Sequence, residues 1–201
     1  MPLITIEQAQ SIVDKFKDAY PKLGNPRLLV HVNRDIVATN GTNSPKPSPP
    51  TVKTSGLPLA DRQTMRDIER LFGRPFRNAG AGLADQNAAN TILGDKSIHS
   101  IEGNSPAAIE KRNALAQITD TVVEVLVSPK NVTVFEFSGE RAYSVPDIQA
   151  TVIRVSDFKI LGQATSNDFL GRVLALRRFD ANEITEATAL ALMEDMAAGG
   201  R

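Results

Sequence analysis

Residues 105–127 read SPAAIEKRNALAQITDTVVEVLV, and this stretch decides the fold class because a helix pattern passes directly into a strand pattern. The opening Ser-Pro is typical of a helix N-cap followed by the first helical position. Ile109, Leu115 and Ile118 then give the predicted helix an apolar side. Residues 122–127 are almost all apolar, which predicts a strand that is buried on both faces. The stretch therefore indicates an α/β fold.

Towards the N-terminus, helix and strand patterns alternate in the same way. Residues 5–20 have apolar side chains at helical spacing, and Thr5 with Gln8 forms a capping-box sequence. Residues 27–37 contain the apolar run Leu-Leu-Val, followed by another valine, and predict the first core strand. The elements predicted next are a helix over 61–77, a short strand over 81–86, a helix over 87–93 and a polar loop over 94–104.

Single residues set the expected ends of these middle elements. Gly73 and Pro75 are predicted to kink or break the helix over 61–77, and Ala79-Gly80 to cap it. The short strand is centred on Leu83, and Asp85 is predicted to cap the helix that follows.

Towards the C-terminus, the chain shows strand patterns without intervening helices. Pro129-Lys130-Asn131 predicts a turn between residues 122–127 and a further strand, and Asp180 predicts the cap of a closing helix. The remaining predictions are strands over 132–137, 148–155 and 160–164, a connection over 138–146 and a helix over 181–197. Consecutive strands without helices between them pair antiparallel.

These elements together predict a mixed sheet with helices packed on it, in the α/β class with an α+β tendency. Early strands separated by helices are expected to be parallel, through right-handed crossovers, and the later strands antiparallel. We expect an N-terminal helix in residues 1–26 and a single α/β domain in residues 27–198. Residues 38–58 contain five prolines among Asn, Gly, Ser and Thr, and predict a mobile loop within that domain. Such a loop is either a tolerated insertion or a functional element.

Composition excludes several classes of protein. Lys+Arg and Asp+Glu each number 23, so the formal net charge is zero and we expect no nucleic-acid partner. The absence of cysteine excludes disulfides, thiolate catalysis and Cys-ligated metal centres. We find neither a signal-peptide pattern nor an apolar run long enough to span a bilayer. The chain is therefore expected in the cytoplasm, or in the periplasm if an export signal has been removed.

Sequence motifs of catalysis and cofactor binding are also missing, and we predict no catalytic, cofactor or metal site. His31 and His99 lie in a predicted strand and a predicted loop, without metal-ligand spacing. Gly80-Ala81-Gly82 follows a helix and precedes a strand, which is the reverse of a dinucleotide-binding loop. Three aspartates at the ends of elements are interpreted as capping and turn residues: Asp85, Asp120 and Asp157.

A row of arginines is the one feature that indicates binding. Arg62, Arg66, Arg70 and Arg74 are spaced by four residues, and Arg77 follows three residues later. On a helix they lie along one slowly drifting face, and guanidinium groups bind carboxylates or phosphates in a bidentate manner. The alternative is a solvated helix face balanced by neighbouring acidic residues. We predict that the row docks an acidic partner.

The order of segments resembles a known group of domains. The segments that carry the resemblance are residues 27–37, the capped helix from Asp61, Leu83-Ala84-Asp85-Gln86, ALAQITD at 114–120 running into 121–127, and the strands 148–155 and 160–166 with the last helix. Together they are similar to the accessory α/β domain of bacterial envelope proteins. Examples are the curli secretion lipoproteins, the lipoprotein activators of penicillin-binding proteins and the middle domain of a flagellar ring protein. The resemblance covers roughly residues 27–197.

The resemblance implies a non-catalytic scaffold in an envelope assembly, which engages a protein partner or associates with itself. Members of that group often have Asp-Arg after the second strand, where this chain has Asp85-Gln86. They are usually exported or lipid-anchored, and this chain has neither an export signal nor a lipobox cysteine. Two alternatives remain open. One is a small-ligand or nucleotide-binding domain that uses the loops over 38–58 and 86–104. The other is a hydrolase with a dispersed carboxylate site.

Overall fold

In the described residues, the fold is a four-stranded mixed sheet with helices on both faces. The computed structural model describes residues 3–33, 65–94, 96–136, 139–168 and 180–199. The helices are α1 (Ile6–Ala19), α2 (Met65–Asn78), α3 (Gln86–Leu93), α4 (Pro106–Ile118) and α5 (Ala181–Ala197), and short 3-10 turns lie at Tyr20–Leu23 and Ile98–Ile101. The strands are β1 (Leu28–Asn33), β2 (Thr121–Glu136), β3 (Gly139–Arg154) and β4 (Ile160–Thr165). The predicted loop over 38–58 lies outside the described residues.

The strands are arranged in the order β1-β2-β3-β4. β1 and β2 are parallel, whereas β2 with β3 and β3 with β4 are antiparallel. This confirms the predicted α/β fold with an early parallel unit and later antiparallel strands. The second predicted strand is reduced to a single parallel bridge between Leu28 and Leu83.

Each face of the sheet has its own apolar core. α1, α2 and α5 cover one face, where Phe16, Phe72 and Phe76 are fully buried together with alternate residues of the strands. α3, α4 and the turn at Ile98–Ile101 cover the other face around Leu29 and Leu115. β1 is buried along its whole length because it lies between both layers. None of the described helices has the length and apolar character needed to cross a bilayer.

Local signals fixed most helix ends as predicted. In α1 the Thr5 side chain accepts from the Gln8 amide at 3.2 Å and the Gln8 side chain accepts from the Thr5 amide at 3.0 Å, which completes the capping box. Ser105 likewise caps α4. Gly80 has φ +84° and ends α2, because only a left-handed residue lets the Gly80 and Ala81 amides reach the last helical carbonyls. The side chains of Asp85 and Asp180 cap α3 and α5.

Gly73 and Pro75 were predicted to kink or break α2, and the predicted break is wrong. The helix continues through Gly73 and Pro75 to Asn78, and Pro75 is buried within it. A proline inside a helix costs one backbone hydrogen bond, and burial of the surrounding apolar face offsets this cost. A hypothetical Cβ on Gly73 would lie 3.0 Å from the Leu83 side chain, so the glycine allows the chain after α2 to approach the helix closely.

The turn predicted at Pro129-Lys130-Asn131 and the connection predicted over 138–146 are also wrong. β2 and β3 are single strands of 16 residues each, and the chain reverses between Glu136 and Gly139. Pro129 pairs with Pro146. Neither proline can donate a hydrogen bond, so both must occupy a non-hydrogen-bonded pair with their nitrogens directed away from the partner strand. Two opposed prolines are thereby accommodated within one continuous ribbon.

The start of β1 is joined to the junction of α4 and β2 by Arg27 and Asp120. The Arg27 amide and Nε donate to Asp120 Oδ2 at 2.8 and 3.3 Å, and the guanidinium also donates to the Gln117 carbonyl at 3.0 Å. Hydrogen bonds from the Arg27 side chain, and then from its amide, lower the pKa of Asp120. The charged form of this carboxyl is therefore favoured in the folded state.

Replacing Asp120 by asparagine is expected to lower the free energy of unfolding at pH 7 by about 1 kcal/mol, because both side chains are half exposed. The folded-state pKa is depressed, so the stabilisation is present above the ordinary aspartate pKa of about 4 and is lost as pH falls through the lower folded value. Urea unfolding across the acid range measures this. A difference between variant and wild type that stays constant with pH would contradict the assignment.

Candidate functional site

An open groove of about 770 Å³ lies between α2 and the first turns of α3. Its lining combines three guanidinium groups, two carboxylates, amide side chains and apolar residues: Val30, Met65, Arg66, Glu69, Arg70, Arg77, Leu83, Ala84, Asp85, Gln86, Asn87 and Asn90. We call it the basic groove. Gln86 joins the α3 side of the groove to β1, because its Nε2 donates to the Val30 carbonyl at 3.0 Å.

The helical period brings Arg66, Arg70 and Arg77 together. At about 100° per residue, positions separated by four and eleven residues lie within about 40° of arc. None of the ion pairs formed among described residues involves these three arginines. All three side chains are exposed, so their guanidinium groups can reach carboxylates or phosphates outside the chain.

The predicted arginine row is only partly at this site. Arg66 and Arg70 line the basic groove, and Arg77, the next arginine after the row, joins them. Arg74 instead lies 3.7 Å from Glu186 of α5, so its charge is engaged within the fold. Arg62 lies outside the described residues.

The carboxylates of Glu69 and Asp85 partly offset the positive charge of the basic groove. Burial raises the pKa of Glu69, and attraction by Arg66 partly opposes that shift. Asp85 accepts a hydrogen bond from the Asn87 amide at 2.9 Å, in its predicted role as the cap of α3. Three guanidinium groups against two carboxylates leave an excess of positive charge, which favours an anionic ligand.

The opposite wall of the groove was not anticipated from the sequence. Gln86, Asn87 and Asn90 contribute amide groups from α3, which begins just after the bridge of Leu83 to β1. The predicted cap at Asp85 is the one local signal that marks where this wall begins. Nothing in the spacing of the amides indicates that they face α2.

The two histidines have local roles. His31 is buried opposite Glu124 in the β1–β2 register, and its Nε2 lies 3.1 Å from the Lys96 carbonyl. Glu124 accepts from the Ile98 amide at 3.1 Å, so both side chains hold the segment before the second 3-10 turn against the sheet. His99 is exposed and lies 2.8 Å from Glu102. Within the described ranges, no cluster of His, Asp and Glu could hold a metal ion.

The remaining candidate carboxylates also have local roles. Asp157 accepts from the Lys159 amide at 3.1 Å in the turn between β3 and β4, and it pairs with Arg154. Asp120 binds Arg27. These contacts confirm the interpretation of Asp85, Asp120 and Asp157 as residues of caps, turns and element ends.

Comparison of the chain with protein-family models, curated proteins and solved structures finds no match.

Proposed function

We propose that this protein is a non-catalytic binding module that docks an acidic partner in the basic groove. The observation that carries the proposal is the convergence of Arg66, Arg70 and Arg77 on one open surface, without an ion pair to a described carboxylate. Guanidinium groups bind carboxylates in a bidentate manner. A groove wall lined with amide side chains can orient an extended or helical segment of the partner.

The open shape of the groove favours a macromolecular segment over a small substrate. A site for a small ligand normally encloses most of the ligand surface, whereas the basic groove lies open along α2. Its polar groups are spread along three turns of a helix, from Arg66 to Arg77, and do not converge on one point. A nucleotide is the alternative ligand, and inorganic phosphate and ATP serve as probes for it in thermal-shift measurements.

The proposed partner belongs to a bacterial cell-envelope complex. This part of the proposal rests on the resemblance to accessory domains of envelope proteins, which are scaffolds. The early parallel pair, the later antiparallel strands and the closing α5 are the elements on which that resemblance depends. Fractionation of cells that express the chain with its native N-terminus tests this part.

Replacing Arg66 and Arg70 by glutamate is expected to weaken binding of a fluorescein-labelled hexaglutamate peptide roughly tenfold or more, because attraction becomes repulsion at two positions. Fluorescence anisotropy at low salt measures the dissociation constant. The matched control is Lys22→Glu with Lys111→Glu, which changes the net charge equally at exposed positions outside the groove. If both double variants bind the peptide equally, only net charge matters and the proposal fails.

A further inference from the structure

The surface of α1 carries a row of acidic residues that we call the acidic ridge. Glu7, Asp14 and Asp18 are exposed and lie within about 40° of arc, because they are separated by seven and four residues. Gln10 lies between them and donates to Asp14 Oδ1 at 2.9 Å. Ile6 lies beside the ridge with 83% of its surface exposed.

The acidic ridge and the basic groove have the same spacing in opposite order. From Arg66 the intervals along α2 are four and seven residues, and from Asp18 backwards along α1 they are also four and seven. Both rows span eleven residues, which is about 16 Å of helix. An antiparallel pair of these helices would therefore place Arg66 against Asp18, Arg70 against Asp14 and Arg77 against Glu7.

The same register also pairs one carboxylate of the basic groove with a lysine of the acidic ridge. Glu69 lines the basic groove, and Lys15, which also lies 3.5 Å from Glu194, is on the surface of the acidic ridge. In the antiparallel register these two residues face one another, so neither meets a like charge. A parallel arrangement that sets Arg66 against Glu7 would pair Arg77 with Asp18, but it would leave Arg70 opposite Ser11 and Glu69 opposite Gln10.

We propose that the acidic partner of the basic groove is the acidic ridge of a second copy of this chain. The inference rests on the proposed function and identifies its partner. The ridge and the groove are different surfaces, so the contact is heterologous and leads to an open chain or a ring unless it closes as a pair. The three ion pairs are exposed, and exposed pairs are weak and sensitive to salt.

The ion pairs and Ile6 have separate roles in this contact. The charges set the register and the antiparallel direction, since complementary charges determine specificity more than affinity. The exposed Ile6 side chain supplies apolar area at the end of the ridge nearest Glu7. Both features lie on described residues of α1, whose opposite side packs in the core through Ile12, Val13 and Phe16.

Two variants, each lacking one of the two surfaces, test the proposal. Asp14→Lys with Asp18→Lys removes the ridge and keeps the groove, whereas Arg66→Glu with Arg70→Glu removes the groove and keeps the ridge. In sedimentation equilibrium at low salt and about 1 mM chain, the range for weak association, we expect wild type to exceed the mass of one chain. Each variant alone should be monomeric, whereas their equimolar mixture should exceed the mass of one chain, because the native contact and the charge-exchanged contact can both form between the two variants.

A chain that carries all four substitutions should recover self-association, because the paired positions exchange their charges. The control for the ridge is Glu102→Lys with Glu110→Lys, which makes the same charge change elsewhere on the surface and should assemble as wild type does. At 1 M salt, where the Debye length is about 3 Å, the wild-type assembly should dissociate. Wild type that is monomeric at low salt, or a mixture that stays monomeric, overturns the inference.

Failure of this inference is distinguishable from failure of the proposed function. The ridge variant retains Arg66, Arg70 and Arg77 and gains positive charge, so it should bind the hexaglutamate peptide at least as tightly as wild type does. If the peptide binds but the mixture remains monomeric, the groove takes an acidic partner other than this chain. If neither occurs, both proposals are wrong.

Discussion

Replacing Phe76 by alanine is expected to lower the free energy of unfolding by about 3–5 kcal/mol, the range for truncation of a buried phenylalanine. Phe76 has no exposed surface, and its ring meets that of Phe16 edge-to-face with centroids 5.4 Å apart. The substitution therefore creates a cavity between α1 and α2, which lie with α5 on one face of the sheet. Urea unfolding at neutral pH measures the change.

A double-mutant cycle makes this prediction specific to the contact. Phe16→Ala and Phe76→Ala together should cost less than the sum of the single losses, by about 0.5–1.5 kcal/mol for an edge-to-face pair. Ile109→Ala is the control, because 37% of Ile109 is exposed and its truncation should cost less than about 1 kcal/mol. Additive losses at the two phenylalanines would contradict the packing of α1 on α2.

Replacing Gly162 by alanine is expected to lower the free energy of unfolding by about 1–3 kcal/mol through overpacking. A Cβ there would lie 2.7 Å from Met196 Cγ and 3.3 Å from the Met196 backbone nitrogen. Rotation of the methionine side chain relieves the first contact but not the second, so β4 or α5 must shift. That shift also strains the hydrogen bond from the Gln163 amide to Asp195 Oδ2, which is 2.8 Å long.

The matched control for Gly162 is Gly82→Ala. A Cβ on Gly82 would meet nothing within 4 Å, and Gly82 does not have a positive φ. We expect this control to change the free energy of unfolding by less than about 1 kcal/mol. Equal losses at the two glycines would show that chain entropy, and not the close approach of β4 to α5, determines the effect.

The predictions from sequence succeeded where the signal is local. Capping by Thr5, Ser105, Asp85 and Asp180 involves partners two or three residues away, so the sequence contains both halves of each interaction. The strand over Leu28–Asn33 was also predictable, because a continuous apolar run is typical of a strand covered on both faces.

The errors concern proline, whose effect depends on the neighbouring strand or layer. Residues 129–131, Pro-Lys-Asn, have the composition of a turn. Only the pairing of Pro129 with Pro146 shows that the hydrogen-bond donor missing from Pro129 would lie on the outer edge of the ribbon. Pro75 has the appearance of a helix breaker, and only burial against the core explains why α2 continues. Neither environment can be read from residues within a few positions of the proline.

The candidate site was likewise predictable only where its residues are close in sequence. The helical period placed Arg66, Arg70 and Arg77 near one another, because that relation is local to α2. The ion pair of Arg74 with Glu186 was not predictable, since α5 begins more than a hundred residues later in the chain. The spacing of the acidic residues on α1 can be found in the sequence. Their proposed role as a partner surface depends on the basic groove, which only the structure shows.

The ribbon of β2 and β3 also bears on aggregation. From Ser128 and Asp147 to Glu136 and Gly139 the two strands pair only with one another in the part of the chain that the structure describes. At about 3.4 Å per residue, nine such pairs extend about 31 Å, and free strand edges of this length are templates for amyloid-like growth. Pro129 and Pro146 remove one donor from each outer edge near the start of the ribbon, so an incoming strand that extends the sheet meets an interrupted ladder on both sides.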